Sequence, residues 1–168
     1  MVVLVGSNTA WCHPVLYQRI MKAKEQRDLF VVVIDPLFTA TCEAADLHLP
    51  ILIGQDVRLF NGLLQYLHQN GHVDAEFVEA HTQGLNAALS SAEAEKDINE
   101  VVAKTGISLE KLQVFYQKSA QTEKVMTLFS MGVNQSSQGV NKANSITNCH
   151  LFTGKIGKLG AAPFSVTG

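Results

Sequence analysis

The stretch that decides the fold is Val2-Val3-Leu4-Val5-Gly6-Ser7-Asn8, near the start of the chain. Its unbroken apolar run predicts a strand that is covered on both faces, and the glycine ends that strand. A helix is predicted from about Pro14 to Lys24, with proline in the first turn, where it costs no hydrogen bond. Leu29 to Ile34 is again apolar and predicts a second buried strand. Together these segments predict a βαβ unit with a right-handed crossover.

The alternation of strand and helix continues along the chain. The further predicted elements are a strand at Leu47-His48-Leu49, a helix that opens at Gly54-Gln55-Asp56 and is capped by Gly71, a helical stretch from Asp74 to Ala103, a helix capped by Ser108, a last strand from Val125 to Phe129 and a final helix from about Ser136 to Phe152. This pattern predicts an α/β fold, a doubly wound, mostly parallel sheet with helices on both faces, of the dinucleotide-binding type. We expect one such domain to occupy residues 1–168.

Composition and charge exclude several classes of protein. Hydrophobic residues make up 46% of the chain and charged residues 17%, a balance typical of a globular core. The net charge of −2 argues against nucleic acid as a partner, and the apolar runs are too short for a membrane span. The three cysteines and six histidines are scattered. We therefore expect reduced thiols in a cytoplasmic protein and no metal held by this chain alone.

Both ends of the sequence carry an expectation. Met1 is followed at once by the first strand, so we expect no secretory or twin-arginine leader. Pro163 to Gly168 has neither a helix end nor a polar tail. We interpret both ends as boundaries inside a longer protein.

Four loops follow predicted strands at the carboxyl edge of the sheet, where ligands bind in folds of this kind. They are Gly6 to His13, Asp35 to Thr39, Gly54 to Asp56 and Gly132 to Gln138. The first loop lacks the G-x-G-x-x-G fingerprint, although Gly6 lets the backbone approach a phosphate and a helix starting near His13 offers free N–H groups. An ordinary strand-to-helix turn explains the same residues equally well.

Single residues in these loops also have two interpretations each. Asp35 is suited to accept hydrogen bonds from a ribose, or to start a turn before proline. Asp56 is suited to pair with guanine N–H donors, or to cap a helix. The many amides and hydroxyls between Met131 and Gly139 favour ligand contact over solvent exposure. For His13, His81 and His150, no sequence partner predicts a general base.

Several segments carry a family resemblance. They are Gly6-Ser7-Asn8-Thr9-Ala10-Trp11-Cys12-His13-Pro14, Ala44-Ala45-Asp46 with Asp56, Ala80-His81-Thr82-Gln83-Gly84, Phe129 to Gly139, Asn148 to Leu151, Thr153 to Gly157 and Pro163 to Gly168. In order and spacing they resemble the dimethyl sulfoxide reductase family of molybdenum enzymes, and within it the cytoplasmic assimilatory nitrate reductases. The resemblance covers essentially the whole chain.

The resemblance implies a cofactor and the residues that hold it. The family binds molybdenum through two molybdopterin guanine dinucleotides, and this domain is expected to grip one of them. The implied contacts are Gly6, Ser7, Asn8, Thr9, Cys12 and His13 around the pyrophosphate, Asp35, Pro36 and Thr39 at the ribose or guanine, Gln55 and Asp56 at the guanine, and Met131, Gly132, Asn134 and Gln135 along the cofactor toward the metal, with Gln138 near it.

The resemblance also implies the parent reaction and partners. The parent is expected to reduce nitrate to nitrite, with electrons from a donor protein or domain arriving through a 4Fe-4S cluster. The cluster and molybdenum ligands of the family have no match here, so we expect no catalytic residue in this segment and no activity without the rest of the parent chain. Lys158-Leu159-Gly160 departs from the Pro-Gly common in relatives.

Other classes of protein would carry the same sequence features. Gln138 occupies a position where periplasmic nitrate reductases usually carry arginine, which favours the assimilatory branch. A sibling enzyme such as a formate dehydrogenase would share fold and cofactor. A free-standing nucleotide-binding module without a redox role, or a domain that binds a partner protein through its polar loops, would also carry these loops.

Overall fold

The computed structural model describes residues 1–166, so Thr167 and Gly168 of the terminal segment lie outside the described residues. The strands are β1 (Val2–Val5), β2 (Val31–Ile34), β3 (Leu47–Leu49), β4 (Met126–Phe129) and β5 (Ala162–Ser165). The helices are α1 (Thr9–Cys12), α2 (Pro14–Arg27), α3 (Asp56–Gln69), α4 (Ala75–His81), α5 (Leu85–Ser91), α6 (Ile98–Thr105), α7 (Leu109–Gln121), α8 (Met131–Asn134) and α9 (Gly139–Phe152), with short 3₁₀ turns at Ala40–Cys42 and Glu93–Glu95.

The five strands form one sheet in the order β3-β2-β1-β4-β5, and every neighbouring pair is parallel. The α/β prediction is therefore confirmed, and the sheet is wholly rather than mostly parallel. β1 lies at the centre of the sheet, where Leu4 and Val5 are 0% exposed. Parallel strands of this kind are stable only when both faces are covered.

Each face of the sheet has its own apolar core. One core joins Val3, Val5, Val32 and Ile34 to α3, α7 and α9. The other joins Leu4, Val31, Val33 and Leu128 to Ile20 of α2 and to Cys42. Alternate residues of one strand point to opposite faces, so a continuous apolar strand serves both cores at once. This arrangement confirms the predicted helices on both faces.

The prediction that Val125–Phe129 is the last strand is wrong. β5 follows at Ala162–Ser165 and pairs with β4 at the edge of the sheet. The sequence did not predict β5 because this strand is short and contains Pro163. Its Phe164 is 60% exposed, so the segment lacks the apolar pattern of a buried strand. Proline is tolerated there because an edge strand needs hydrogen bonds on one side only.

Helix boundaries also differ from the predictions. The stretch from Asp74 to Ala103, predicted as one helical segment, is divided into α4, α5, a 3₁₀ turn and α6. Gly84, with φ +78°, precedes α5. Asp97 caps α6 by accepting a hydrogen bond from Asn99 N–H. α2 runs on to Arg27 and ends at Asp28, which has φ +51°. The final helix starts at Gly139, because α8 occupies the residues after β4. Ser108 occupies the N-cap position of α7 without a side-chain capping bond.

Candidate functional site

The carboxyl ends of three adjacent strands meet at one edge of the sheet, which we call the rim. Val5 of β1 is level with Ile34 of β2 and with Phe129 of β4. After β1 the chain continues to β2 and β3, toward one edge of the sheet; after β4 it continues to β5, at the opposite edge. The strand order therefore reverses between β1 and β4. Ligands of doubly wound sheets bind in the crevice at this reversal.

Two glycines bring the loops after β1 and β4 together. Gly132 N–H donates to the carbonyl of Gly6 over 3.0 Å. A Cβ on Gly6 would lie 2.9 Å from the Cα of Gly132, and the backbone of Gly6 has φ +54°. Only glycine satisfies both conditions without strain. The predicted residues Gly6 and Gly132 therefore lie in direct contact.

The loop after Gly6 presents a run of unpaired donors. Within residues 1–166, the backbone N–H groups of Ser7, Asn8 and Thr9 have no protein acceptor. The hydroxyls of Ser7 and Thr9 hydrogen-bond to each other at 2.9 Å and are buried. Consecutive N–H groups without acceptors, beside a glycine, form the kind of backbone concavity that suits a phosphate oxygen.

The predicted helix start near His13 is confirmed for α2, and a short helix that the sequence did not predict precedes it. α1 already begins at Thr9, and α2 begins at Pro14 with His13 between them. Cys12 is exposed, and the side chain of His13 is half-buried. Neither side chain makes a hydrogen bond within residues 1–166. The structure therefore places these two predicted residues on the far side of a short helical turn from Gly6.

The turn interpretation of Asp35 is observed. Its Oδ1 accepts a hydrogen bond from Leu37 N–H at 3.0 Å, while its backbone carbonyl accepts one from His48 Nε2 at 3.0 Å. The carboxylate is half-buried, and Oδ2 has no protein partner within residues 1–166. One carboxylate oxygen thus remains available to a ligand, so both interpretations are compatible. Pro36 is exposed, and the Thr39 hydroxyl is 3.7 Å from Cys42 Sγ.

Asp56 forms a buried ion pair that the sequence did not predict. It is the first residue of α3, with Gln55 at the N-cap position, so Asp56 is not the cap. Its Oδ2 lies 2.8 Å from Lys142 Nζ, and the two side chains are 10% and 6% exposed. Lys142 Nζ also donates to the carbonyl of Gly132 at 3.0 Å. This chain of contacts connects α3 and α9 to the rim.

The spacing of residues along α9 indicates that Lys142 is buried. On a helix that begins at Gly139, Lys142 lies four residues before Ile146 and seven before Cys149, both of which are buried. Residues at this spacing share one helix face, so a lone lysine among them must find a buried partner. This spacing is the same for a helix that begins near Ser136. The sequence therefore indicates a buried cation on this helix, although it does not indicate which carboxylate is the partner.

Residues 131–138 are exposed at the outer part of the rim, except Val133, which is buried. Met131 is 52% exposed, and Asn134 Nδ2 donates to Ser165 Oγ at 2.8 Å. The side chains of Gln55 and Gln135 make no hydrogen bond within residues 1–166. Gln138 Oε1 accepts a hydrogen bond from Asn141 Nδ2 at 2.7 Å. Gln138 thus faces α9 and not the contact between Gly6 and Gly132.

A second concavity lies between α3 and α9. It is a cleft of about 580 Å³ lined by amide and hydroxyl side chains, among them Asn61, Gln138, Asn144 and Asn148. Its charged groups are Arg58 and Glu95, which pair at 2.6 Å. Because the cation is already paired, the cleft presents hydrogen-bonding groups and no free positive charge.

His150 is a structural histidine with a strongly shifted pKa. It is 5% exposed; Nδ1 donates to the carbonyl of Lys155 at 2.8 Å, and Nε2 lies 2.8 Å from the Thr127 hydroxyl. Burial lowers the pKa of His150 from 6.5 to about 4, outweighing the hydrogen bond to Lys155, which raises it. Both ring nitrogens are therefore occupied, and the neutral imidazole is a poor candidate for a general base.

Residues 1–166 contain neither a metal-ligand cluster nor a membrane-spanning helix. No group of three or more His, Cys, Asp or Glu side chains in this range is close enough to hold a metal ion. Within the same range, no helix combines the length and apolar character that a bilayer crossing requires.

Fold and rim together define a class: a doubly wound α/β domain with a crevice at the carboxyl edge of its sheet, where the strand order reverses. Residues 1–167 match the molybdopterin oxidoreductase family, and the chain belongs to that family. It is 45% identical over 168 residues to a nitrate reductase of Shewanella frigidimarina and 43% identical over 169 residues to a nitrate reductase of Klebsiella oxytoca.

These alignments cover 99% and 100% of this chain but only 18% and 19% of the relatives, so the chain spans about a fifth of their length. The acetylene hydratase of Pelobacter acetylenicus has the same fold, with a TM-score of 0.82 over 96% of this chain and 22% of that one, at 21% identity. The match over residues 1–167 and these nitrate reductase relatives confirm the family that the sequence segments resemble.

Proposed function

We propose that residues 1–168 form the domain that holds the guanine dinucleotide end of one molybdopterin in a molybdenum nitrate reductase. The observation that carries this proposal is the run of unpaired N–H groups at Ser7, Asn8 and Thr9, at the reversal of strand order. A diphosphate is the part of the cofactor that needs such donors, and backbone N–H groups bind it without a lysine or arginine.

The other rim residues suit the nucleoside. The unpaired Oδ2 of Asp35 is able to accept a ribose hydroxyl, as acidic residues after the second strand of dinucleotide-binding sheets do. Gln55 and Gln135 have amides without a partner in residues 1–166, which suit a base or a pterin. Asp56 keeps its proposed role at the guanine: Oδ2 pairs with Lys142, and within residues 1–166 Oδ1 has no protein partner and is able to accept from a guanine N–H group.

The names of the relatives support a proposal for the reaction of the parent. The relatives from Shewanella frigidimarina and Klebsiella oxytoca are named nitrate reductases, and this supports reduction of nitrate to nitrite by the full-length protein. The cofactor supplies the two-electron chemistry, and the residues of this chain supply binding and orientation. We place the 4Fe-4S cluster and the molybdenum ligand in the remaining four fifths of the parent, and we propose a cytoplasmic location and an electron-donor protein or domain as partner.

The test is cofactor content in the full-length protein that contains this segment. Gln55→Ala and Gln135→Ala are the sharpest variants, because neither side chain has a hydrogen bond to lose within the described part of the chain. We expect molybdenum and guanine nucleotide per chain to fall in both. Gln117→Ala on the exposed face of α7 is the matched control and should keep both. Unchanged content in the two rim variants would favour a partner-binding role for these loops.

A further inference from the structure

Thr41 is a buried polar residue that the functional assignment above does not use. It lies in the 3₁₀ turn Ala40–Cys42 after β2, and its side chain is 0% exposed. Its hydroxyl accepts a hydrogen bond from Ala10 N–H at 3.0 Å and donates one to Asn8 Oδ1 at 3.0 Å. A single hydroxyl therefore connects the loop after β2 to the loop after β1.

The hydrogen bond from Thr41 determines which end of the Asn8 amide is free. A threonine hydroxyl has one proton, and Ala10 N–H uses the oxygen as an acceptor. The proton goes to Asn8 Oδ1, so the Nδ2 group of Asn8 is directed away from Thr41. Within residues 1–166, Nδ2 of Asn8 donates to no protein acceptor. Asn8 thus offers two more N–H bonds beside the three unpaired backbone groups.

We infer that Thr41 is a positioning residue for the diphosphate: it holds the Asn8 amide with its nitrogen toward the crevice, where that nitrogen donates to a phosphate oxygen. This inference rests on the proposed function. Without the Thr41 hydroxyl, the Asn8 amide is free to rotate. It can then present its oxygen to the crevice, and this partly negative oxygen repels the phosphate. Thr41 thereby makes the loop after β2 contribute to phosphate binding without touching the phosphate.

The experiment measures cofactor retention in the full-length protein. Guanine nucleotide and molybdenum per chain are followed during dialysis for Thr41→Val, Thr41→Ser, Asn8→Ala and the double variant. We expect Thr41→Val to lose cofactor about tenfold faster, because Asn8 Nδ2 then no longer donates its hydrogen bond to the charged phosphate. Thr41→Ser keeps the hydroxyl and should match the parent. In the Asn8→Ala background, Thr41→Val should add nothing.

A merely structural role predicts a different pattern. If Thr41→Val speeds cofactor loss equally with and without Asn8, or has no effect, the inference is overturned. Asn8→Asp provides a check that does not disturb Thr41: it keeps an acceptor for the Thr41 proton but replaces the N–H donors with a carboxylate that repels the phosphate, so cofactor loss should be at least as fast as in Asn8→Ala. Normal retention in Asn8→Ala and Asn8→Asp, with loss in Asp35→Ala, would refute the role of Thr41 and leave the proposed function standing.

Discussion

At the residue scale, the rim depends on charges that are removed from water. Asp56 and Lys142 are both almost fully buried, and the lysine also binds the carbonyl of Gly132. Such a pair gives little net stability compared with apolar residues of the same shape, but removing one partner leaves an uncompensated charge. The pair therefore specifies where α3 and α9 meet the rim more than it stabilises the fold.

Lys142→Met is expected to lower the free energy of unfolding of the chain by about 3–5 kcal/mol, because the Asp56 carboxylate is left buried without a cation. The urea midpoint of the purified chain measures this. Lys96→Met is the matched control: its pair with Glu93 is 58% and 60% exposed, so the change should stay within about 0.5 kcal/mol. Adding Asp56→Asn to Lys142→Met should restore part of the loss; no restoration would contradict the buried-charge explanation.

His150 makes the stability of the chain depend on pH. Its pKa is 6.5 ordinarily and about 4 in the fold, so the unfolded chain binds the proton more tightly. Its contribution is complete above pH 6.5 and is lost as the pH falls toward 4, up to about 3 kcal/mol. His150→Gln should flatten the dependence of the unfolding free energy on pH in this window. An unchanged slope in His150→Gln would argue against this explanation.

The sequence predicted residues at the rim better than it predicted their partners. Gly6 was identified because a glycine directly after a buried strand lets the backbone turn sharply, and Gly132 because the family resemblance implied it; the two lie in contact. Thr41 and Lys142 were missed because their importance depends on residues 31 to 86 positions away in the sequence. Contacts of this kind follow from the order of strands in the sheet, which local patterns do not determine.

At the element scale, the βαβ alternation was predictable because buried parallel strands are apolar throughout, as β1 and β2 are. β5 was missed because an edge strand is half exposed and carries a proline. α1 and α8 were missed because four residues are too few for a helical period. Thus the central elements are encoded locally, whereas the edge and the short helices depend on the assembled sheet.

The contact between the loops after β1 and β4 is testable with a glycine pair. Gly6→Ala places a Cβ 2.9 Å from the Cα of Gly132 at φ +54°, whereas Gly54→Ala at φ +85° meets no atom within 4 Å. Both variants carry the cost of left-handed backbone, about 1–2 kcal/mol. Only Gly6→Ala adds a backbone clash, so its melting temperature should be the lower of the two. Equal melting temperatures would mean that the two loops are not held together.

At the scale of the whole molecule, the chain corresponds to one part of its longer relatives. It spans about a fifth of the relatives that it matches, and its surface carries large exposed apolar side chains, including Trp11 at 76%, Ile53 at 85% and Leu159 at 92%. Apolar surface of this extent is typical of contact with other parts of a protein. We expect the remaining four fifths of the parent to cover it.

The isolated chain is expected to reduce no nitrate with reduced viologen as electron donor, because it contains no candidate ligand cluster for molybdenum or iron within residues 1–166. The full-length protein should convert nitrate to nitrite in the same assay. Formate oxidation by the full-length protein, without nitrate reduction, would instead identify a sibling enzyme. Turnover of nitrate by the isolated chain would refute the division of roles proposed here.

The position of the cofactor in the full-length protein tests the central claim most directly. A crystal or cryo-electron microscopy structure of that protein with its cofactor should show the diphosphate within hydrogen-bonding distance of the N–H groups of Ser7, Asn8 and Thr9. The guanosine should then lie beside Asp35. A nucleotide bound elsewhere, with these three N–H groups facing water or another domain, would contradict the account.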